Sequence, residues 1–268
     1  MDMRMHLTPT GRRLPPPPRR RLARWIFLPL LLLATPDPAL SAHEFQTHYI
    51  EAKKLLDCRV YLPEDFDSGR EYPLVIALHG YGGSPEIMSG LWTYFEDHDF
   101  ILALPEAPYA FPGNGVKSGT LFSWDFKGQA RDLWPETDPW VYEYILRVAE
   151  DLGDAYPVSR TILLGHSQGV AYAYAAAFHS AGSIEGVICF AGRLPEPRLY
   201  PWLLNEQDLR AGNGLRVFIA HGKADPLIGH EVSLAAAEKL RQNKCEVEVH
   251  LFAGGHVIPR TALRQAFE

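Results

Sequence analysis

A serine between two glycines constrains the fold of this chain more than any other feature. The pentapeptide GHSQG at 165–169 follows the apolar run 161–164 and precedes the alanine- and tyrosine-rich run 170–178. A Gly-x-Ser-x-Gly between a buried strand and a helix is typical of a nucleophile elbow, a sharp turn that strains the serine backbone and exposes its hydroxyl. Residues without bulk are needed on either side because the strand and the helix nearly touch there. The pattern predicts a strand, a tight turn holding Ser167, and a helix.

Strand-like and helix-like segments alternate along the rest of the chain. The strand-like runs lie near 57–62, 73–79, 99–104, 159–165, 185–191, 215–220 and 246–252. The helix-like stretches lie near 84–97, 137–154, 168–180, 230–244 and 258–267. Such alternation is typical of an α/β fold, so we expect a mainly parallel central sheet with helices on both faces.

Candidate partners for the serine follow it in the chain. A serine hydroxyl is a weak nucleophile that needs a base within hydrogen-bond reach and an acid to orient that base, and after this type of elbow the order is Ser, Asp or Glu, then His. Asp225 follows the strand-like run 215–220, and His256 follows the strand-like run 246–252. Because open α/β sheets assemble their sites at the carboxyl ends of the strands, we predict a triad of Ser167, Asp225 and His256.

An oxyanion site is predicted from an earlier loop. The buried strand-like run 73–78 leads into the sequence HGYGG at 79–83, whose glycines allow the backbone to approach a ligand closely. Acyl transfer needs two preorganised donors for the tetrahedral oxyanion. We predict that these are the backbone N–H groups of Tyr81 and of Gln168, the residue after the nucleophile.

Together, these four motifs resemble the α/β-hydrolase superfamily. Over roughly residues 55 to 268, the chain is more narrowly similar to the phospholipase/carboxylesterase group of small serine esterases, which includes acyl-protein thioesterase-like enzymes. The resemblance implies an α/β-hydrolase fold and a serine hydrolase that cleaves carboxylic esters, with thioesters as an alternative. It implies a small-molecule ester substrate and no cofactor.

Two other functions remain open, and so do the roles of several histidines. A serine peptidase of the prolyl-oligopeptidase kind uses the same triad, although no propeller-like segment precedes the hydrolase motifs. A binding protein without chemistry could also use this fold, although the intact triad argues against it.

His79 and His221 are interpreted as structural, and His166 as lining the site without acting as the base. No cluster has metal-ligand spacing, so we predict no metal.

Two segments are expected to shape the substrate site. The segment 105–139 carries six aromatic residues among glycines and prolines, either as an apolar wall for the substrate or as anchors that hold a long loop to the domain. The segment 192–213 stands where larger hydrolases insert a cap domain. It is long enough only for a short helix or arm, so we predict no large cap domain and an open site.

The amino-terminal segment differs in composition from the rest. Residues 1–42 contain seven arginines, then an apolar stretch of about ten residues and a small-residue end, which is the order of a secretory signal peptide. The apolar stretch is shorter than the ~20 residues that a membrane anchor needs. We therefore predict a signal peptide at 1–42 and a catalytic domain at 43–268, secreted or periplasmic and without stable membrane insertion.

Charge and cysteine content exclude further functions. Without residues 1–42, the chain has 19 basic and 30 acidic residues, a formal charge of −11. Nucleic-acid binding relies on lysine and arginine to neutralise phosphates, so no nucleic-acid partner is expected. Three cysteines, set in apolar surroundings, are too few for a disulfide framework. The sequence sets no oligomeric state.

Export can be checked directly. Cells that produce the full chain should release mature protein that begins at about His43 into the periplasm or the medium. N-terminal sequencing of the soluble protein provides the measurement. Recovery of protein that retains the arginine-rich segment would contradict the signal-peptide assignment.

Overall fold

The computed structural model describes residue 50 and residues 52–94, 99–113, 119–126 and 131–268. The strands are β1 (Cys58–Tyr61), β2 (Tyr72–Leu78), β3 (Ile101–Pro105), β4 (Tyr109–Pro112), β5 (Thr120–Ser123), β6 (Val158–His166), β7 (Ile184–Phe190), β8 (Arg216–Gly222) and β9 (Glu246–Phe252). The α-helices are α1 (Pro85–Met88), α2 (Trp134–Ala155), α3 (Gln168–His179), α4 (Glu206–Ala211), α5 (Glu231–Gln242) and α6 (Arg260–Gln265). The predicted signal peptide at 1–42 lies outside the described residues.

The central sheet has seven strands in the order β1-β3-β2-β6-β7-β8-β9. Strand β1 pairs with β3 in the antiparallel direction, and the other five pairings are parallel. Strand β2 reads as a continuous apolar run from Leu74 to Leu78, and each of these side chains is at most 1% exposed. Such burial is expected where both faces of a parallel sheet are covered. The predicted mainly parallel sheet is confirmed.

Helices cover both faces of the sheet. On one face, Leu74 and Ile76 pack in a core with residues of α2, α3, α4 and α5. On the other, Val75 and Ala77 pack in a core with residues of α1 and α6. The alternation follows from the period of two along a strand, which points successive side chains to opposite faces. Within the described residues, no helix has both the length and the apolar character needed to cross a membrane.

The segment 105–139 contains more regular structure than the sequence suggested. Strands β4 and β5 pair as an antiparallel hairpin, and α2 begins at Trp134 rather than near residue 137. The glycines and prolines of this segment obscured the strand signal, because they usually mark loops. The helix-like stretch at 84–97 is also interrupted, since α1 ends at Met88 and a 3₁₀ helix follows over Ser89–Tyr94.

The arm at 192–213 is as short as predicted. Its α-helix is the six-residue α4, which begins at a capping box between Asn205 and Asp208. The Asn205 side chain accepts from the backbone N–H groups of Gln207 and Asp208, and the Asp208 side chain accepts from the Asn205 N–H at 2.8 Å. Such reciprocal bonds satisfy the first N–H groups of a helix. The arm therefore adds a single short helix and no large cap domain.

Candidate active site

The turn between β6 and α3 is strained at Ser167, which has φ 53° and ψ −116°. A Cβ added at Gly165 would lie 2.6 Å from the Val170 Cα, and one added at Gly169 would lie 2.5 Å from the Leu78 carbonyl oxygen. Any side chain at either position would therefore collide with backbone. The sharp turn predicted from the GHSQG sequence is present, with Ser167 at its corner.

The turn also leaves helix α3 without a side-chain cap. The first N–H groups of an α-helix have no acceptor within the helix, and Gln168 is the first residue of α3. Its backbone N–H therefore belongs to the group of donors that helix geometry leaves available next to Ser167. The role of Gln168 as an oxyanion donor stays a prediction.

The side chain of Asp225 is fully buried and is held by four hydrogen-bond donors. Its Oδ1 accepts from the backbone N–H groups of Leu227 (2.8 Å) and Ile228 (3.0 Å). Its Oδ2 contacts His256 Nδ1 at 2.7 Å and His221 Nε2 at 3.1 Å. Burial opposes ionisation of the carboxyl, but the bonds from Ile228, His256 and Leu227 outweigh it and lower the pKa of Asp225 to about 2. Asp225 is therefore an anion at neutral pH.

The loops that carry Asp225 and His256 are joined by backbone bonds. Lys223 N–H donates to the Phe252 carbonyl and Ala224 N–H to the Gly254 carbonyl, each at 2.9 Å. A Cβ at Gly222 would lie 2.3 Å from the carbonyl oxygens of both loop glycines, Gly254 and Gly255. This close approach fixes the spacing between the carboxylate and the imidazole, so the predicted Asp225–His256 pair is formed.

His256 lies beside the serine turn. Its ring centroid is 5.0 Å from that of His166, the residue before Ser167. Burial lowers the pKa of His166 to about 4, and repulsion from His256 adds to the effect, so His166 is neutral at neutral pH. A Cβ at Gly80 would lie 3.1 Å from the Ser167 Cβ. The loops after β2, β6, β8 and β9 thus meet at one edge of the sheet.

The loop at 79–83 is tied to strand β5 and the residues that follow it. Gly82 N–H donates to the Phe122 carbonyl at 2.9 Å, and the Trp124 indole Nε1–H donates to the His79 carbonyl at 2.7 Å. Tyr81, the predicted oxyanion residue, is half exposed, and its ring stacks on Phe111 at 5.1 Å. Hydrogen bonds to the β4–β5 hairpin region therefore set the conformation of this loop.

The same region also holds the side chain of Gln168. Trp124 N–H donates to the Gln168 Oε1 at 3.0 Å, and the Gln168 Nε2 donates to the Ser123 hydroxyl at 3.0 Å. Ser123 and Trp124 therefore hold the side chain of Gln168, and Trp124 also holds the loop at 79–83 through the His79 carbonyl. Sequence reasoning missed this link, because a local pattern gives no information on contacts between residues that are separated by 44 or 45 positions.

The position of the Trp124 ring shows which of the two roles predicted for the aromatic segment, substrate wall or loop anchor, this residue has. The ring is fully buried and packs 5.2 Å from His79 and 6.3 Å from Tyr172. Trp124 is thus an anchor and cannot be part of a wall in contact with substrate. Phe126, two residues later, is 49% exposed, and its ring stacks on Tyr109.

The remaining histidines have structural contacts. His79 Nδ1 donates to the Gly80 carbonyl at 2.8 Å, as its interpretation as a loop-fixing residue suggested. His250 lies within β9, and its ring stacks with the rings of Phe218 and Phe252. His221 does more than expected, because it contacts the Asp225 carboxylate directly. Over the described ranges, no group of three or more His, Cys, Asp or Glu side chains could hold a metal ion.

Comparisons with known proteins agree with this architecture. The model of a family described as phospholipase/carboxylesterase matches residues 67–268. The putative hydrolase MhqD of Bacillus subtilis (strain 168) is 24% identical over 208 residues, which are 76% of this chain and 94% of that protein.

Solved structures show the same fold. The carboxylesterase of Bacillus cereus superposes with a TM-score of 0.60 at 18% identity, over 79% of this chain and 92% of its own. Acyl-protein thioesterase 2 of Zea mays superposes with a TM-score of 0.58 at 18% identity, over 78% of this chain and 95% of its own. This likeness confirms the α/β-hydrolase fold.

The anchoring role of Trp124 predicts a graded loss of stability. Trp124→Ala should cost about 3–5 kcal/mol of unfolding free energy, because it opens a large cavity. Trp124→Phe keeps most of the packing but leaves the His79 carbonyl without its donor, which should cost about 1–3 kcal/mol. Phe126→Ala, the change of a half-exposed ring in the same segment, should stay within about 0.5 kcal/mol. Urea denaturation measures all three, and equal losses for Trp124→Ala and Phe126→Ala would contradict the assignment.

Proposed function

The chain belongs to the phospholipase/carboxylesterase family, and on this premise we propose that it is a serine hydrolase that cleaves carboxylic esters through an acyl-enzyme. The observation that carries the proposal is the 2.7 Å bond between His256 and a fully buried, ionised Asp225, next to a strained serine turn. Strain at a single non-glycine residue is typical of functional sites, where the surrounding structure holds the unfavourable conformation.

The hydrogen bonds of His256 assign its protons. Because the Asp225 carboxylate can only accept, His256 carries a proton on Nδ1, and the neutral imidazole then has its lone pair on Nε2. In the proposed reaction, Nε2 takes the proton of the Ser167 hydroxyl as Oγ bonds to the acyl carbon. Asp225 holds the imidazole in this tautomer and stabilises the cation that forms.

The reaction then proceeds in two halves. The negative charge on the tetrahedral intermediate would be stabilised by the backbone N–H groups of Tyr81 and Gln168. When the intermediate collapses, the bond to the leaving alcohol breaks, and His256 returns its proton to the alcohol oxygen. Water then attacks the acyl-enzyme, again giving a proton to His256, and the carboxylic acid leaves as the proton returns to Ser167.

The competing functions make different demands. Thioesters would follow the same steps and need less help from His256, because a thiolate is a better leaving group than an alkoxide. A binding protein on this fold would need neither the strained turn nor the tautomer fixed by Asp225. Burst release from a chromogenic acetate or butyrate ester would distinguish a catalytic protein from a binding protein. Rates on matched ester and thioester substrates would distinguish an esterase from a thioesterase.

The rim of the proposed site favours apolar substrates. Three exposed side chains lie in the loops of the site, namely Tyr81 (50% exposed), Leu227 (69%) and Val257 (51%). Leu227 and Val257 lie within two residues of the proposed acid and base. We propose that these side chains contact the acyl or alcohol group of a small ester. The open site that results from the short arm should accept soluble esters of short to medium chain length.

The cellular location that we propose is the periplasm or the exterior. It rests on the basic, apolar and small-residue order of residues 1–42. An ester hydrolase in such a compartment would meet its substrates outside the cytoplasm.

The nucleophile can be tested by substitution. Ser167→Ala should abolish labelling by a fluorophosphonate and lower kcat by about 10⁴-fold or more, because the acyl-enzyme route is lost. His256→Ala should lower kcat to a similar extent, and the two losses should not add. Ser183→Ala, which changes an exposed serine beyond the far end of α3, is the matched control and should retain labelling and activity. Labelling of another serine in Ser167→Ala would refute the assignment.

Substrate preference can be tested with esters of increasing acyl length. Each methylene that contacts the apolar rim should contribute up to about 0.8 kcal/mol to transition-state binding, and the gain should stop once the chain reaches solvent. Val257→Thr keeps the shape of the side chain but replaces a methyl with a hydroxyl. It should therefore reduce the gain in transition-state binding per methylene and leave the hydrolysis of acetate esters unaffected. Val247→Thr, the same change near the start of β9, controls for stability. Rates that rise steadily through long chains, or increase sharply at the solubility limit, would contradict an open rim.

A further inference from the structure

A second histidine contacts the carboxylate of the proposed triad. His221 lies near the end of β8, and its side chain is fully buried. Its Nε2 is 3.1 Å from the Asp225 Oδ2 and 2.9 Å from the Ile228 carbonyl oxygen, and its Nδ1 is 2.7 Å from the Ser233 hydroxyl. Both ring nitrogens are therefore engaged, and Ser233 is itself only 2% exposed.

These contacts determine where the proton of His221 lies. Both partners of Nε2 are pure acceptors, so a bare lone pair on Nε2 would face two oxygen atoms and be repelled by both. Nε2 therefore carries a proton, which is shared between the Asp225 Oδ2 and the Ile228 carbonyl. In the neutral ring, Nδ1 then has the lone pair and accepts the hydroxyl proton of Ser233. Because Ser233 can donate at this position, it stabilises the tautomer that Asp225 requires.

We propose that His221 is a positioning residue that acts through Asp225, and that Ser233 fixes its tautomer. The inference rests on the proposed function, because it concerns the same acid and base. His221 and His256 donate to one carboxylate oxygen, Oδ2, at 3.1 and 2.7 Å. The donor from His221 orients this oxygen and withdraws part of the negative charge that would otherwise stabilise a protonated His256.

The surrounding charges fix the sign of the effect. Asp225 faces His221 and His256, and His166 faces His256 from the serine turn. If the donor of His221 is removed, the full charge of the carboxylate acts on His256, which then retains its proton to higher pH. Since the base must be unprotonated to accept the serine proton, the acid limb of kcat/KM should move to higher pH. A hydrogen bond of ordinary strength corresponds to a movement of about 0.5–1 pH unit.

The test compares two substitutions at one position. His221→Met fills similar space without a donor, so it should lower kcat about tenfold and raise the midpoint of the acid limb by about 0.5–1 pH unit. His221→Gln keeps an N–H near the position of Nε2, so it should restore most of the activity and the original midpoint. His179→Gln is the matched control, because His179, like His221, donates a ring N–H to a backbone carbonyl (from Nδ1 to Ala175, 2.8 Å) but lies at the far end of α3. It should leave the profile unchanged.

Thermal denaturation of each variant separates folding from chemistry. If His221→Met does not fold, Ser233→Ala provides the second test, because it removes the partner that fixes the tautomer and should move the midpoint in the same direction by a smaller amount. A uniform loss of kcat with an unmoved midpoint, not restored by His221→Gln, would show a merely structural role and overturn the proposal. Full activity in Ser167→Ala would instead overturn the proposed function, so the two failures are distinguishable.

Discussion

The close approach of strand β6, helix α3 and the end of β2 is the constraint on which the site depends. Hypothetical Cβ atoms at Gly165 and Gly169 would lie 2.6 and 2.5 Å from neighbouring backbone atoms, so only glycine fits at either position. The chain must therefore turn within one residue, and Ser167 absorbs the strain with φ 53°. This turn places the serine at the start of α3, beside the loops that follow β2 and β9.

Near the turn, the hydrogen bonds of the buried Asp225 carboxylate fix its geometry and its charge. Burial of the Asp225 side chain opposes ionisation, yet the hydrogen bonds from Ile228, His256 and Leu227 keep the pKa of Asp225 at about 2. His166 lies 5.0 Å from His256, and burial keeps it neutral, so it adds no positive charge next to the proposed base. A buried carboxylate without hydrogen-bond donors would be costly, whereas one that accepts several hydrogen bonds is held rigidly. Rigidity of this kind is what a preorganised site for acyl transfer requires.

Much of the fold could be predicted because it follows from local patterns. All seven strands of the central sheet lie near the strand-like runs of the sequence, and the GHSQG sequence specified the turn at Ser167. The β4–β5 hairpin was missed because glycine and proline conceal a period-two pattern over only four residues. Trp124 could equally have been a wall or an anchor, since a sequence pattern gives no information on whether a ring in an irregular segment is buried.

The sequence by itself determined the class of fold, the position of the strained serine and the identity of its candidate partners, because periodicity, glycine spacing and chain order are local properties. Tertiary structure alone decided the bond between His256 and Asp225, the second contact from His221, and the link from Trp124 to His79 and Gln168. These contacts join loops that follow different strands. Their distances depend on how the strands are ordered and packed in the sheet, which no local pattern specifies.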